Sequence, residues 1–251
     1  MLRTGNPALN SSTFETFDSY AAERSNTMTL NGTATKTGML LILLTASAGY
    51  SWIELRSAGG IQGVIPHMVG GLIVSLLAGV ILWFKREWAA VLAPVYAVAE
   101  GLVLGVLSAA FEAKFHGIVF QAVCLTAGTL FSLLTAYRTG LIKPTENFKL
   151  GVFAATGAVA LLYLVNMIMS LCGVGGMSFL HNSSWLSIGI NGVIVIIAAL
   201  NLVLDFDFIE QGVNHGAPKY MEWYAGYGLL VTLVWLYVEI LRLLSKLSSR
   251  D

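Results

Sequence analysis

Seven apolar stretches separated by short polar links dominate the pattern of this chain. Each is long enough to cross a bilayer, which takes about 20 residues. They lie at 38–55, 64–84, 89–111, 117–137, 150–172, 184–204 and 223–244. Each must be a helix, because lipid offers no hydrogen-bond partner to an unpaired backbone group. The pattern therefore predicts an all-α membrane protein, a seven-transmembrane helix bundle.

The segment before the first apolar stretch is polar and rich in Ser, Thr and Asn. Glu15, Asp18 and Glu23 precede any apolar run, which is not the pattern of a secretory signal peptide. We therefore predict a polar N-terminal tail over 1–37 and a seven-span membrane domain over 38–251. The links between the spans are too short to hold a second domain.

Composition strengthens the membrane assignment. Hydrophobic residues make up 56% of the chain and charged residues only 11%, whereas soluble domains carry about 25% charged residues. So little charge cannot coat a surface that faces water, and the lipid bilayer is the predicted partner. The 14 basic and 14 acidic residues cancel, so there is no basic field to attract nucleic acid.

Basic residues in the links predict the orientation through the positive-inside rule. A cytoplasmic N-terminus puts nine basic residues inside and five outside. The inner ones are Arg3, Arg24, Lys36, Lys85, Arg86, Arg138, Lys143, Lys149 and Lys219. Seven spans then leave the C-terminus outside, although Arg242, Lys246 and Arg250 lie near it. A re-entrant last segment that returns the tail to the inside is the alternative.

Four acidic residues lie in or at the edge of the spans: Glu100, Asp205, Asp207 and Glu239. An ionisable side chain in a membrane costs about 2.5–3.5 kcal/mol on insertion scales, so it persists where it pairs, faces water or has a function. Glu100 is followed by a GxxxG pair, Gly101 and Gly105, which lets another helix backbone come close. We expect Glu100 to point into the bundle, either as a functional carboxyl or as a protonated one bound to a neighbour.

The other three acids lie on the last two spans. Asp205 and Asp207 are about 200° apart on a helix, so only one can face the bundle, unless both lie at the membrane–water boundary. Glu239 has Arg242 at i+3, and the two can form an ion pair on one helix face. Alternatively, Glu239 is a buried carboxyl that pairs with a neighbouring helix.

Proton coupling connects these carboxyls to a function. Two carboxyls close together in a low dielectric cannot both ionise cheaply, so the pair shares a proton. When both are ionised, their repulsion would separate helices and open a path for a cation; the shared proton would keep it shut. Such a pair predicts a pH sensor with gating residues Asp205, Glu239, Asp207 and Glu100, and calcium bound only transiently at Asp205 and Glu239.

Other chemistry is weakly indicated. The histidines are scattered and form no HExxH motif, and no GxSxG elbow or phosphate-binding loop occurs. Cys124 and Cys172 fall in apolar runs, without a metal-binding spacing. We expect no enzyme activity, no cofactor and no firm metal site. The asparagines Asn166, Asn191 and Asn201 are predicted to hydrogen-bond between helices.

Four stretches resemble one family. They are MTLNGTATKTGMLLILL at 28–44, AVAEGLVLG at 97–105, LDFDFIEQGVNHGAPKYMEWY at 204–224 and WLYVEILRLL at 235–244. Their order and spacing are similar to those of the Bax-inhibitor / YccA-like family, the transmembrane BAX inhibitor motif proteins, and closest to a bacterial branch. The resemblance implies a seven-helix bundle with the last helix central. It also implies pH-sensitive passage of calcium, gated by two aspartates on the last two helices.

The aspartate of the sixth helix maps onto Asp205, because the run to His215 and Gly216 has the family's length. The partner on the seventh helix is Glu239 by local pattern, but lies near Leu230 by distance from the same His-Gly pair. This chain therefore either has a longer connection or lacks the aspartate pair.

Two functions follow as expectations. The first is a pH-sensitive calcium leak channel of the inner (plasma) membrane, multi-pass with a cytoplasmic N-terminus. The second is a membrane interaction protein that regulates a partner such as a membrane quality-control protease, with the polar tail as its handle. Whether the chain is a monomer or a homo-oligomer stays open.

Overall fold

The computed structural model describes residues 26–57, 63, 65–173, 176–177 and 182–250. Seven long helices account for most of this part of the chain. They are α1 (Leu30–Ser57), α2 (Ile65–Phe84), α3 (Ala89–Lys114), α4 (Ile118–Arg138), α5 (Glu146–Leu171), α6 (Trp185–Asn214) and α7 (Met221–Ser248). All seven are long and apolar enough to cross a membrane. The predicted all-α seven-helix class is confirmed.

Helix α1 begins at Leu30, eight residues before the predicted start of the first span. The polar stretch at 30–37 is therefore helical, while residues 1–25 of the predicted tail lie outside the described residues. Thr33 and Thr37 are buried, and each hydroxyl donates to the carbonyl four residues earlier. Because the helix satisfies these hydroxyls itself, residues that look polar in a hydropathy pattern can pack inside the bundle.

Helix α7 is central, as the family resemblance implies. It packs against α1, α3, α4 and α6, whereas α2 lies mainly on α3 and α5 on α6. Its buried side chains recur along its whole length, from Ala225 through Leu230 and Leu236 to Leu241. A central helix touches neighbours on several sides, so its polar residues meet protein rather than lipid.

Successive helices run in opposite directions, so their termini lie at the two ends of the bundle. At what we call the N-terminal end, α1 and α7 begin together, because Met28 donates to the Ala217 carbonyl and Lys219 to that of Asn26. At the C-terminal end, where α7 finishes, Ser249 hydrogen-bonds Ser183 just before α6. Helix α7 runs unbroken for 28 residues between these ends, so the last segment crosses the bundle and is not re-entrant.

The predicted GxxxG contact joins α3 to α1. A Cβ atom at Gly101 would overlap with the Leu44 carbonyl, and one at Gly105 with the Ala48 carbonyl. Only hydrogen fits at these two positions, so the backbones of α1 and α3 lie against each other. The close approach predicted from the sequence is confirmed, and its partner is α1.

Replacing Gly105 with alanine should therefore lower the thermal unfolding midpoint of the purified protein. The new methyl group meets backbone, which cannot move aside, and overpacking of this kind costs about 1–3 kcal/mol. Gly128→Ala is the matched control, because a Cβ there meets nothing within 4 Å. Both variants gain the same helix propensity, so a midpoint that falls equally in the two would contradict the close contact.

Candidate functional site

Asp205 projects from α6 towards α7 and lines a cavity of about 180 Å³. The remaining lining residues are Phe208, Tyr224, Ala225, Tyr227 and Gly228. The Thr232 hydroxyl lies near the carboxyl and donates its hydrogen bond to the Gly228 carbonyl at 3.3 Å. The Oδ2 atom is nevertheless buried without a hydrogen-bond partner among the described residues. No lysine or arginine of this part of the chain forms an ion pair with it.

Asp207 lies on another side of α6, as their 200° separation predicts. Its carboxyl forms an ion pair with Lys149 of α5 at 2.9 Å and accepts a hydrogen bond from Gln211 at 2.5 Å. It lines none of the cavities described for this bundle. Of the two aspartates, Asp205 is the one that the bundle encloses.

Glu239 is 1% exposed and is fully hydrogen-bonded. Its Oε1 atom accepts from the Tyr163 hydroxyl at 2.7 Å and from Arg242 at 3.2 Å. Its Oε2 atom accepts from Asn191 of α6 at 3.0 Å. The sequence left open an ion pair with Arg242 or a partner on a neighbouring helix, and the structure combines the two.

The expected shared proton between Asp205 and Glu239 is wrong for this structure. Glu239 meets α6 at Asn191, which is fourteen residues before Asp205 and so about 21 Å away along the helix axis. Apolar side chains of α6 and α7 fill the space between these levels. They are Ala198, Leu202, Leu233 and Leu236, all buried in one core cluster. The two carboxyls therefore belong to separate sites at opposite ends of the bundle.

Glu100 is partly buried in α3 and lines a cavity of about 520 Å³ bounded by α2, α3 and α7. The Ser75 hydroxyl lies beside its carboxyl. Tyr227 of α7 lines both this cavity and that of Asp205, and its ring packs edge-on against Tyr96 at 4.9 Å. Asp205 and Glu100 thus lie on two sides of one tyrosine.

Glu222 is a buried carboxyl that the sequence analysis did not single out. It is fully buried at the first turn of α7, where it accepts hydrogen bonds from the backbone and hydroxyl of Thr29, both at 2.9 Å. Lys219 lies 3.1 Å from it, and Lys36 of α1 forms a second ion pair with it. The carboxyl thereby caps α1 and fastens it to α7. Its place just before the predicted seventh span made it look like a residue of the link.

Two of the three asparagines expected to bridge helices do so. Asn191 links α6 to α7 through Glu239, and Asn201 links α6 to α5 by donating to Thr156 at 2.8 Å. Asn166 instead accepts from the backbone of Met177. Within the described ranges no three His, Cys, Asp or Glu side chains are grouped as metal ligands.

These features define a polytopic seven-helix membrane protein whose central last helix carries two buried carboxyls, Glu222 and Glu239. A sequence model described as Bax inhibitor 1 like matches residues 6–249, nearly the whole chain, and the chain belongs to that family. No curated protein and no solved structure matches it.

Removal of the Glu239 carboxyl should destabilise the bundle strongly. Glu239→Ala would leave the buried Asn191 amide, Tyr163 and the half-exposed Arg242 without their shared acceptor, and a buried donor left unpaired costs about 1–3 kcal/mol. Thermal unfolding of the purified protein would record the loss. Glu146→Ala is the control, since that side chain is 89% exposed and its ion pair with Lys149 is solvated. Equal midpoints for the two variants would contradict the buried network.

Proposed function

We propose that this chain is a pH-sensitive cation leak, with calcium as the permeant ion, and that it is not an enzyme. The observation that carries the proposal is the Asp205 carboxyl, which lines a cavity with one oxygen buried and unpartnered among the described residues. A buried carboxylate without a cation or sufficient hydrogen bonds is costly, so it recruits either a proton or a cation. Competition between the two couples cation occupancy to pH.

The neighbours of Asp205 suit a transient cation site. Calcium prefers several oxygen ligands, and the Thr232 hydroxyl and the phenol groups of Tyr224 and Tyr227 are nearby oxygen donors. Glu100, on the other side of Tyr227, supplies a second carboxyl. We infer that a cation passes between the two carboxyls when Tyr227 moves aside.

The arrangement described here corresponds to a closed leak. The side chains of Leu202, Leu233 and Leu236 are hydrocarbon and cannot replace the hydration shell of an ion. Passage to the C-terminal end therefore needs α6 and α7 to separate at this layer. Ionisation of Asp205 favours that change, because a charged carboxyl gains by admitting water and cations into its cavity.

The orientation proposed with this function places the N-terminal end of the bundle in the cytoplasm of a cell with an inner (plasma) membrane. The described basic residues at that end are Lys36, Lys85, Arg86, Arg138, Lys143, Lys149 and Lys219. Their excess over the other end supports this orientation through the positive-inside rule. The Asp205 cavity then lies in the cytoplasmic half of the bundle.

Calcium entry into proteoliposomes that hold a trapped calcium indicator tests the leak across a pH series. Flux should rise with pH in the natural protein, because ionised Asp205 attracts the cation. Asp205→Asn should lower flux at high pH by about tenfold, equivalent to about 1.4 kcal/mol in barrier height, and should flatten its pH dependence. Asp207→Asn is the matched control: it makes the same chemical change two residues away, in an ion pair outside the cavities.

Two results would contradict the proposal. Flux at the level of empty liposomes at every pH would reject a leak and favour the alternative role, regulation of a membrane protein partner. A pH dependence equally steep in Asp205→Asn and in the natural protein would reject Asp205 as the group that senses pH.

A further inference from the structure

A polar cavity of about 420 Å³ opens at the C-terminal end of the bundle, where α3 and α7 finish and α6 begins. The leak proposed above does not use it. Its polar lining includes Lys114, Tyr163, Asn191, Glu239, Arg242 and Lys246. Of these charged groups only the Glu239 carboxyl is buried, whereas Lys114 and Arg242 are exposed and Lys246 is half-buried.

The charges of this cavity do not balance. Arg242 is paired with Glu239, at 3.2 Å. Lys114 and Lys246 line the same cavity, and neither forms an ion pair with any acid of the described residues. The link at 172–184, which leads into α6, contains no Asp or Glu. The lining therefore carries an excess of two positive charges, which is complementary to an anion.

Hydrogen bonding adds a second requirement. The Oδ1 atom of Asn191 is buried and has no donor among the described residues, while the Nδ2 group of the same side chain is held by Glu239. The orientation of the amide is fixed by this carboxylate, so a free acceptor remains in the lining. An occupant that matches the cavity is therefore anionic at one point and donates a hydrogen bond at another.

Two basic residues of α7 lie on one side of the helix at this end. Arg242 and Lys246 are four residues apart, and Arg250 follows two residues after the helix ends. The guanidinium of Arg250 lies 3.8 Å from the ring centroid of Trp185, whose side chain is 74% exposed. Exposed tryptophan beside a cation is typical of the headgroup level of a membrane.

We propose that this cavity binds a phosphate ester that carries a hydroxyl group. Lys114 and Lys246 hold the phosphate, for which lysine is an established ligand, and the Asn191 Oδ1 atom accepts the hydroxyl hydrogen. The phosphate belongs either to a lipid headgroup of the membrane or to a soluble compound. The two sources share this chemistry, and different probes separate them.

Binding to the full-length purified protein tests the site. Native mass spectrometry would count bound phosphatidylglycerol, with phosphatidylcholine as the lipid whose headgroup donates no hydrogen bond. Equilibrium dialysis would measure the soluble probe, glycerol 3-phosphate. We expect phosphatidylglycerol or glycerol 3-phosphate to bind with an affinity at least about tenfold above that of phosphatidylcholine, which corresponds to about 1.4 kcal/mol.

The double variant Lys114→Gln/Lys246→Gln should lower that affinity by about tenfold or more, because both charges that face the phosphate are lost. Lys85→Gln/Lys143→Gln removes the same charge at the N-terminal end and should change it less than about twofold. Neither pair is buried, so all four substitutions are compatible with folding.

Binding of the lipid alone identifies a site for a lipid headgroup, and binding of glycerol 3-phosphate identifies a site for soluble esters. Absence of binding by both probes, or an equal loss in the two double variants, would overturn the proposal.

Discussion

The cost of keeping a carboxyl away from water governs this structure. At Glu222 this cost is offset by two lysines and the backbone of Thr29. At Glu239 it is offset by Arg242, Asn191 and Tyr163. In each case at least one compensating group comes from a different helix, so neutralising the acid also joins helices. Asp205 is the exception: one of its oxygens has no partner in the described part of the chain. Function is best sought where this compensation is incomplete, since a proton or cation can complete it.

The central position of α7 explains why its polar sites stay separate. Glu222 lies at its first turn and Glu239 near its last, and the residues between them that face α6 are mostly apolar. Each end of the bundle therefore has its own polar site, closed off from the other by packed side chains. A movement of α7 relative to α6 would affect both sites, because both are anchored to the same helix.

Much of this arrangement follows from local sequence rules. The seven spans, the close approach of another helix at Gly105 and the opposite directions of Asp205 and Asp207 depend only on helix length, residue size and helical period, whereas the identity of that helix, α1, is a tertiary property. The register of α6 against α7 is a tertiary property, and the local likeness of Glu239 to a family acid predicted it wrongly. The position of the short link between α6 and α7 predicts their register correctly. Residues equally far from an antiparallel turn face each other, so Asp205 should lie opposite Leu230, and it does lie beside Gly228 and Thr232.

The contacts of the basic residues near the end of α7 change how these residues bear on the orientation of the protein in the membrane. In the sequence they weaken the positive-inside argument, because they increase the positive charge on the side opposite the N-terminus. In the structure Arg242 neutralises Glu239, Lys246 lines the polar cavity and Arg250 packs on Trp185. Residues held by such contacts are explained by the site they form, so they say little about topology. The remaining basic residues are concentrated in the links of the N-terminal end, and these are the ones on which the orientation argument should rest.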